Sequence, residues 1–243
     1  MVLEVGGGAQ LAAELACHML AHLTALTDAA RVRLRIVDIQ GAFDYRRWWF
    51  LVRHLHQQHS AFTAEAETRM LAGVRVSKCD SPEHVLDALK KYESEIGDDR
   101  DVHHVVFVAG LSHFFWANRN FQKGGEAVDV RVPSEPRPSK NPKYADMMAA
   151  IIQQLKGLSN RAATVIATRL ALFPKRSAAE NHFGHAWLSA VNMRIFVDEP
   201  AMTMASLGKA LGSRRGVVFD VDNEKTTRTP FEIYPTGCVF QTR

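Results

Sequence analysis

Apolar runs alternate with amphipathic segments along most of the chain. Short apolar runs predict strands, and segments with an apolar residue at every third or fourth position predict helices. The predicted strands are MVLEV, VRLRIVDI, GVRVSKC, VHHVVFVAGL and ATVIATRL, and the predicted helices between them are LAAELACHMLAHLTALT, DYRRWWFLVRHLHQQH, SPEHVLDALKKYESEI and ADMMAAIIQQLKGLS. Strict alternation of strand and helix is typical of a mostly parallel sheet covered by helices on both faces. We therefore expect an α/β fold with three layers.

The last part of the chain has a different pattern. The segments VNMRIFVDE, RGVVFDVDN and TPFEIYPTGCVF predict strands with few helical residues between them. This favours a C-terminal antiparallel extension of the parallel sheet. Two irregular stretches, 118–144 and 173–185, interrupt the regular pattern. Long loops inside a compact domain are usually functional or disordered.

Length and composition agree with one globular domain over residues 1–243, because the chain is 47% hydrophobic and 23% charged. No apolar run is long enough for a membrane span, and no secretory signal is expected at the N-terminus. Cys17, Cys79 and Cys238 form no CxxC pair, so we expect buried thiols in a reducing compartment. The net charge of +4 permits a nucleic-acid partner without requiring one.

The stretch EVGGGAQLAAEL has the strand, glycine turn and helix of a phosphate-binding loop. Such a loop follows G-x-x-x-x-G-K-[ST], in which lysine neutralises phosphate charge and the hydroxyl residue binds magnesium. Aligned on Gly6, the pattern requires glycine, lysine and a hydroxyl residue where this chain has Leu11, Ala12 and Ala13. Gly6, Gly7 and Gly8 then provide only a tight strand-to-helix turn, or retain weak anion binding at the helix N-terminus.

Two further positions of nucleotide chemistry lie at the ends of later strands. Ala109 lies in the buried strand segment HHVVFVAGLSHFF, at the position where an active enzyme has a magnesium-binding aspartate at the strand end. Thr168 and Arg169 lie in the strand segment ATVIATRLAL, at the position where an active enzyme usually has a polar residue that senses the γ-phosphate. Because the lysine, the hydroxyl and the carboxylate are all absent, we expect no ATP hydrolysis and no bound cofactor.

A metal site is not expected, although the chain has eleven histidines. His56 and His59 share a helical face, but no cysteine or carboxylate joins them. In the same helix, Trp48, Leu51, Val52 and Leu55 have the spacing of a core-facing side. The other side, with Arg46, Arg53 and His56, is then expected to be exposed to solvent.

Several segments resemble the RecA-like recombinase paralogues of eukaryotes. AGLSHFFWANRNFQKGGEAVD carries the resemblance through Ser112, Phe114, Phe115, Trp116, Arg119, Gly124, Gly125 and Glu126. CDSPEHVLDALKKYES, HAWLSAVNMRIFVDE and FEIYPTGCVF continue it in the same order. The resemblance covers nearly the whole chain and is weakest at the phosphate loop, a departure also found in the similar Shu-complex subunits.

This resemblance implies a RecA-like three-layer fold, a nuclear location and a role in homologous recombination. The chain would bind another paralogue in a hetero-oligomer that assists recombinase filaments on single-stranded DNA. RecA-like proteins face DNA with two loops after the central strands, which correspond here to the two irregular stretches. Basic residues in these loops and in a third basic segment, LGSRRGV, which is expected to be a hairpin tip, are candidate DNA contacts, or are ordinary solvated charges: Arg131, Arg137, Lys140, Lys143, Lys175, Arg176, Arg214 and Arg215.

Two other function classes remain open from the sequence. The first is a structural RecA-like subunit of another assembly, such as Elongator, which acts on transfer RNA. The second is an NTPase that uses a different nucleotide site. The GLSHFFW and GGE segments favour the recombinase paralogue over the first alternative.

Overall fold

The computed structural model describes residues 1–7, 9–26, 31–59, 63–96, 101–114, 142–161, 163–170, 184–198, 214–222, 225–233 and 238–240. The strands are β1 (Val2–Gly7), β2 (Val32–Ile39), β3 (Val74–Cys79), β4 (His103–Ala109), β5 (Thr164–Leu170), β6 (Met193–Asp198), β7 (Arg214–Asp222), β8 (Lys225–Ile233) and β9 (Cys238–Phe240). The helices are α1 (Ala9–Leu26), α2 (Tyr45–His59), α3 (Ala64–Ala72), α4 (Pro82–Glu95), α5 (Pro142–Asn160) and α6 (Gly184–Ala190).

The nine described strands belong to one sheet with the order β3-β2-β4-β5-β1-β6-β7-β8-β9. The six strands from β3 to β6 in this order run parallel to one another. The pairs β6–β7, β7–β8 and β8–β9 are antiparallel. The predicted parallel sheet with a C-terminal antiparallel extension is therefore confirmed.

Helices cover both faces of the parallel part, which gives the predicted three layers. On one face, apolar residues of α1 and α2 pack on Leu34, Ile36 and Phe107. On the other face, α4, α5 and α6 pack on Val37 and Val165. Strands buried on both faces explain why the central runs are apolar at nearly every position.

The start of α4 follows the sequence signals for a helix N-terminus. Ser81 is the N-cap and its hydroxyl accepts a hydrogen bond from the His84 backbone N–H at 3.2 Å. Pro82 follows in the first turn, where its missing N–H costs no hydrogen bond. None of the described helices is both long enough and apolar enough to cross a bilayer.

Two short helices were not predicted. α3 has nine residues, and of these Met70 is buried against the α1 and α2 layer while Leu71 remains exposed. α6 has seven residues and places Trp187 fully in the other core. Helices of two or three turns give too few repeats for a periodic pattern, and their existence depends on tertiary packing.

Candidate functional site

The carboxyl ends of β1, β5 and β4 lie side by side at one edge of the parallel sheet. The register pairs Gly6 with Arg169 and Val108 with Ala167. Ligands of open α/β sheets bind outside this edge. The fold thus brings together the three positions at which a nucleotide-binding enzyme has its functional groups: the turn after β1 and the ends of β4 and β5.

The first position is the turn from β1 into α1. Gly6 and Gly7 belong to β1, and α1 begins at Ala9. Ala12 is 2% exposed and its methyl group packs in the core beneath α1, whereas Ala13 is half-buried. Gly8 and the Leu11 side chain lie outside the described part. The order of strand and helix is confirmed, but Gly6 and Gly7 end β1 instead of forming the turn, and the Ala12 side chain packs in the core.

The second position is the end of β4. Ala109 is buried in the core on the α1 and α2 side. Gly110 follows with a φ of 78°, and a Cβ atom there would lie 3.0 Å from the Ala42 Cβ atom. The Gly110 N–H donates to the Thr168 Oγ1 atom at 2.8 Å. The turn after β4 is therefore held by β5 and fits only a glycine without strain.

The third position is the end of β5, where each polar side chain binds within the fold. The Thr168 hydroxyl accepts the hydrogen bond from Gly110. The Thr168 backbone carbonyl accepts a second hydrogen bond, from the Leu111 N–H at 3.0 Å. Arg169 is 8% exposed, and its Nε atom lies 2.6 Å from Oε1 of Glu4 on the neighbouring strand β1. Trp187 of α6 donates its indole N–H to the other oxygen of Glu4 at 2.5 Å.

This cluster of Glu4, Arg169 and Trp187 is almost completely buried. Glu4 is 1% exposed and Trp187 is 0% exposed. The carboxylate is compensated by a guanidinium and an indole N–H, which is the condition for burying a charge. Glu4 was not predicted as a site residue, although a charged residue inside the apolar run MVLEV is a signal of such a role.

A second buried carboxylate lies at the same edge, on β2. Asp38 is 0% exposed and stands beside Ala109 in the strand register. Its oxygens accept hydrogen bonds from the Phe43 N–H at 3.1 Å and from the Tyr45 hydroxyl at 2.7 Å. Burial and the hydrogen bond to Asp38 raise the pKa of Tyr45. Asp38 is thus the carboxylate next to Ala109, but its oxygens are engaged in fixing the loop from β2 to α2.

That loop bends sharply before α2 begins. Gln40 and Gly41 have φ angles of 55° and 73°. Residues 41–46 line a shallow depression of about 510 Å³ on the protein surface. Its polar lining residues, Asp44, Tyr45 and Arg46, are exposed or half-buried, so the depression offers no buried polar group that would fix a ligand.

A charged group joins α1 to α2. The Arg47 Nε atom lies 2.5 Å from the Glu14 Oε1 atom, and an Arg47 Nη2 atom lies 3.2 Å from His18 Nε2. Burial raises the pKa of Glu14, but the hydrogen bonds from His18 and Arg47 outweigh it and leave the pKa below its ordinary value. This group therefore stabilises the contact between the two helices.

The candidate DNA contacts fall mostly beyond what can be described. Five of them lie outside the described residues: Arg131, Arg137, Lys140, Lys175 and Arg176. Lys143 was expected in a loop but lies in the first turn of α5, because this helix begins at Pro142. Arg214 and Arg215 were expected at a hairpin tip but begin β7, where they pair with Ile233 and Glu232 of β8.

The two sides of α2 agree with prediction except at one residue. Trp48, Leu51, Val52 and Leu55 are buried as expected. His56 was expected at the surface but is only 8% exposed, because it follows Leu55 on the edge of the buried side. Among the described residues, no three His, Cys, Asp or Glu side chains are grouped closely enough to hold a metal ion.

Two of the three cysteines have described side chains, and both are buried. Burial raises the pKa of Cys17 to about 12 and that of Cys79 to about 11. Both thiols are free and are protonated at neutral pH. The expectation of buried thiols is confirmed for these two residues, and the Cys238 side chain lies outside the described part.

Among the comparisons with known proteins, matches were found only to solved structures. No protein-family model matches the sequence, and no curated protein matches it. The fold is similar to the crystal structure of the RadB recombinase, with a TM-score of 0.59 and 13% sequence identity over 98% of this chain and 89% of that chain. At this identity the likeness concerns the fold alone. The chain therefore has a RecA-like α/β fold.

Proposed function

We propose that this chain is a noncatalytic RecA-like subunit that acts in homologous-recombination DNA repair by binding another recombinase paralogue. It uses the RecA-like fold as a binding body and does not hydrolyse ATP. Within the paralogue family, its segments resemble the second X-ray-repair cross-complementing paralogue. A nuclear location and an assisting role on single-stranded DNA belong to the same proposal.

The observation that carries the proposal is the chemistry at the carboxyl edge of the sheet. Ala12 and Ala109 stand where phosphate and magnesium chemistry requires a lysine and a carboxylate. The charges nearby are engaged within the fold, since Arg169 pairs with Glu4. Asp38 likewise accepts two hydrogen bonds from its own loop. A fold retained without these catalytic groups is best explained by a binding role.

The edge strand β3 offers a surface for the partner. It is the first strand of the sheet and pairs only with β2 among the described strands. Val76 is 43% exposed in the middle of it, and Lys78 is exposed as well. An exposed edge strand can accept a strand of another chain, with backbone hydrogen bonds for affinity and side-chain contacts for specificity.

Affinity capture of the tagged full chain, followed by mass spectrometry, tests the proposal. We expect one or more recombinase paralogues in stoichiometric amount with the wild-type chain. The variant Val76→Lys adds a charge to the centre of β3 and is expected to lower the captured amount. Leu23→Lys is the matched control, because Leu23 is an exposed apolar residue of α1, a helix whose main strand contacts are with β1, β5 and β6 and not with β3.

Two results would count against the proposal. Capture of Elongator subunits without recombinase paralogues would favour the structural subunit of another assembly. If the Val76 and Leu23 variants lost the same amount of captured partner, β3 would be excluded as the partner-binding strand. The partner would then have to bind another surface.

A further inference from the structure

The outer side of α2 carries cationic and aromatic side chains that the core does not use. Arg46, Phe50 and Arg53 follow one another at four and three residues, so they lie on one side of the helix. The two arginines are separated by about 10 Å along the helix axis. All three side chains are exposed.

Planar groups are layered around Phe50 on this side. Phe50 is 49% exposed. The Arg47 guanidinium lies over its ring at 5.9 Å, and the His54 ring is nearly parallel to it at 10° with centroids 6.3 Å apart. The Arg53 guanidinium lies over the neighbouring Trp49 ring at 5.7 Å. A half-exposed aromatic ring among guanidinium groups is suited to contact with another flat ring.

The helix itself carries positive charge, part of which is paired with carboxylates of α1 and α3. α2 contains three arginines and neither Asp nor Glu. Arg47 is held by Glu14 and serves the contact with α1. Arg53 is 54% exposed, and its pair with Glu67 at 3.1 Å is of the surface kind that contributes little to stability. Arg46 has no carboxylate partner among the described residues, so it is available to an anion.

We propose that this side of α2 binds single-stranded DNA, with Arg46 and Arg53 contacting phosphates and Phe50 contacting a base. An acidic peptide would satisfy the two arginines only. Single-stranded DNA supplies anions and unpaired flat bases together, which matches the alternation of cation and aromatic ring. This inference rests on the proposed role on single-stranded DNA. It places the contact on α2, whose residues are not part of the two irregular stretches of the sequence, and it needs no nucleotide cofactor.

Fluorescence anisotropy with the full chain tests this site. The probes are a labelled oligothymidylate and an abasic oligonucleotide of the same length, which has the same phosphates but no bases. We expect the wild type to bind the oligothymidylate more tightly than the abasic probe. Phe50→Ala is expected to weaken binding of the oligothymidylate by about tenfold, the range for one base–aromatic contact, with little change for the abasic probe.

The arginine contact has its own readout. Each phosphate contact contributes about 0.7 to the slope of log K against log salt for single strands. Arg46→Gln is therefore expected to reduce this slope by about 0.7 for both probes. Leu23→Ala and Lys90→Gln are matched controls, an exposed apolar residue on α1 and an exposed cation on α4 across the sheet, and neither should change binding.

The thermal unfolding midpoint of each variant confirms that the chain still folds. The inference is overturned if the wild type does not bind the oligothymidylate, or if Phe50→Ala affects both probes equally. It is also overturned if a polyglutamate peptide binds in a Phe50-dependent manner and the oligothymidylate does not, since the occupant would then be an acidic protein segment. Partner capture is a separate measurement, so failure here leaves the proposed partner role standing.

Discussion

The carboxyl edge of the sheet and the outer side of α2 both concentrate charged and aromatic side chains, but they differ in how those groups are satisfied. At the sheet edge, Glu4, Arg169 and Trp187 are buried and bind one another. On α2, Phe50 is half-exposed and Arg46 faces solvent. The difference separates residues that maintain the fold from residues available to a ligand.

The largest expected effect is at the buried ion pair. Arg169→Met removes the cation and leaves Glu4 as a buried carboxylate, so the free energy of unfolding should fall by about 3–5 kcal/mol. Urea denaturation measures it. The double variant Glu4→Gln with Arg169→Met is the control, because it removes both charges and should recover part of the loss. A single variant as stable as the wild type would show that this pair does not maintain the fold.

The buried thiols predict a loss of stability at alkaline pH. The Cys17 thiol ionises near pH 9 when unfolded and at about 12 when folded, so its contribution is complete below about pH 9 and is lost as the pH rises to about 12. The slope is at most about 1.4 kcal/mol per pH unit. Urea midpoints across this range measure it, and Cys17→Ala should reduce the slope. An unchanged slope in the variant would contradict the burial of this thiol.

Two glycines with similar backbone angles allow a matched test of the turn after β4. Gly110 and Gly41 both have positive φ angles, but only at Gly110 would a Cβ atom meet a neighbour, Ala42, at 3.0 Å. Gly110→Ala should cost about 1–3 kcal/mol, and Gly41→Ala about 1 kcal/mol. Thermal unfolding compares them. Equal losses would indicate that contact with Ala42 is not what requires a glycine.

The smallest effect is expected at Phe50, on the outer side of α2. Phe50→Ala should change the free energy of unfolding by no more than about 0.5 kcal/mol, because Phe50 is 49% exposed. Trp48→Ala, on the buried side of the same helix, should cost about 3–5 kcal/mol. Urea denaturation of the two variants measures the contrast. A large loss at Phe50 would mean that this ring serves the core rather than a ligand.

Apolar patterns were sufficient to predict the parallel strands and their covering helices. Val32, Leu34 and Ile36 alternate in β2, and Ser81 with Pro82 marks the start of α4. These signals are local in the chain. The order of the strands is not local, since β5 inserts between β1 and β4 only through tertiary pairing.

The site was predicted less completely. Ala109 could be placed at a strand end from its apolar run, and the structure confirms that position. The pairing of Glu4 with Arg169 joins distant parts of the chain, so no local pattern reveals it. Asp38 was missed although it lies inside the predicted strand VRLRIVDI, because its partners follow it in the loop before α2 and its hydrogen bond to Tyr45 becomes visible only in the folded chain.

Calorimetric titration of the full chain with magnesium ATP tests most directly whether this RecA-like fold lacks nucleotide binding and hydrolysis. We expect no binding heat at millimolar nucleotide, because Ala12 and Ala109 supply neither a cation nor a magnesium ligand. Saturable binding at micromolar nucleotide, together with release of phosphate, would contradict it.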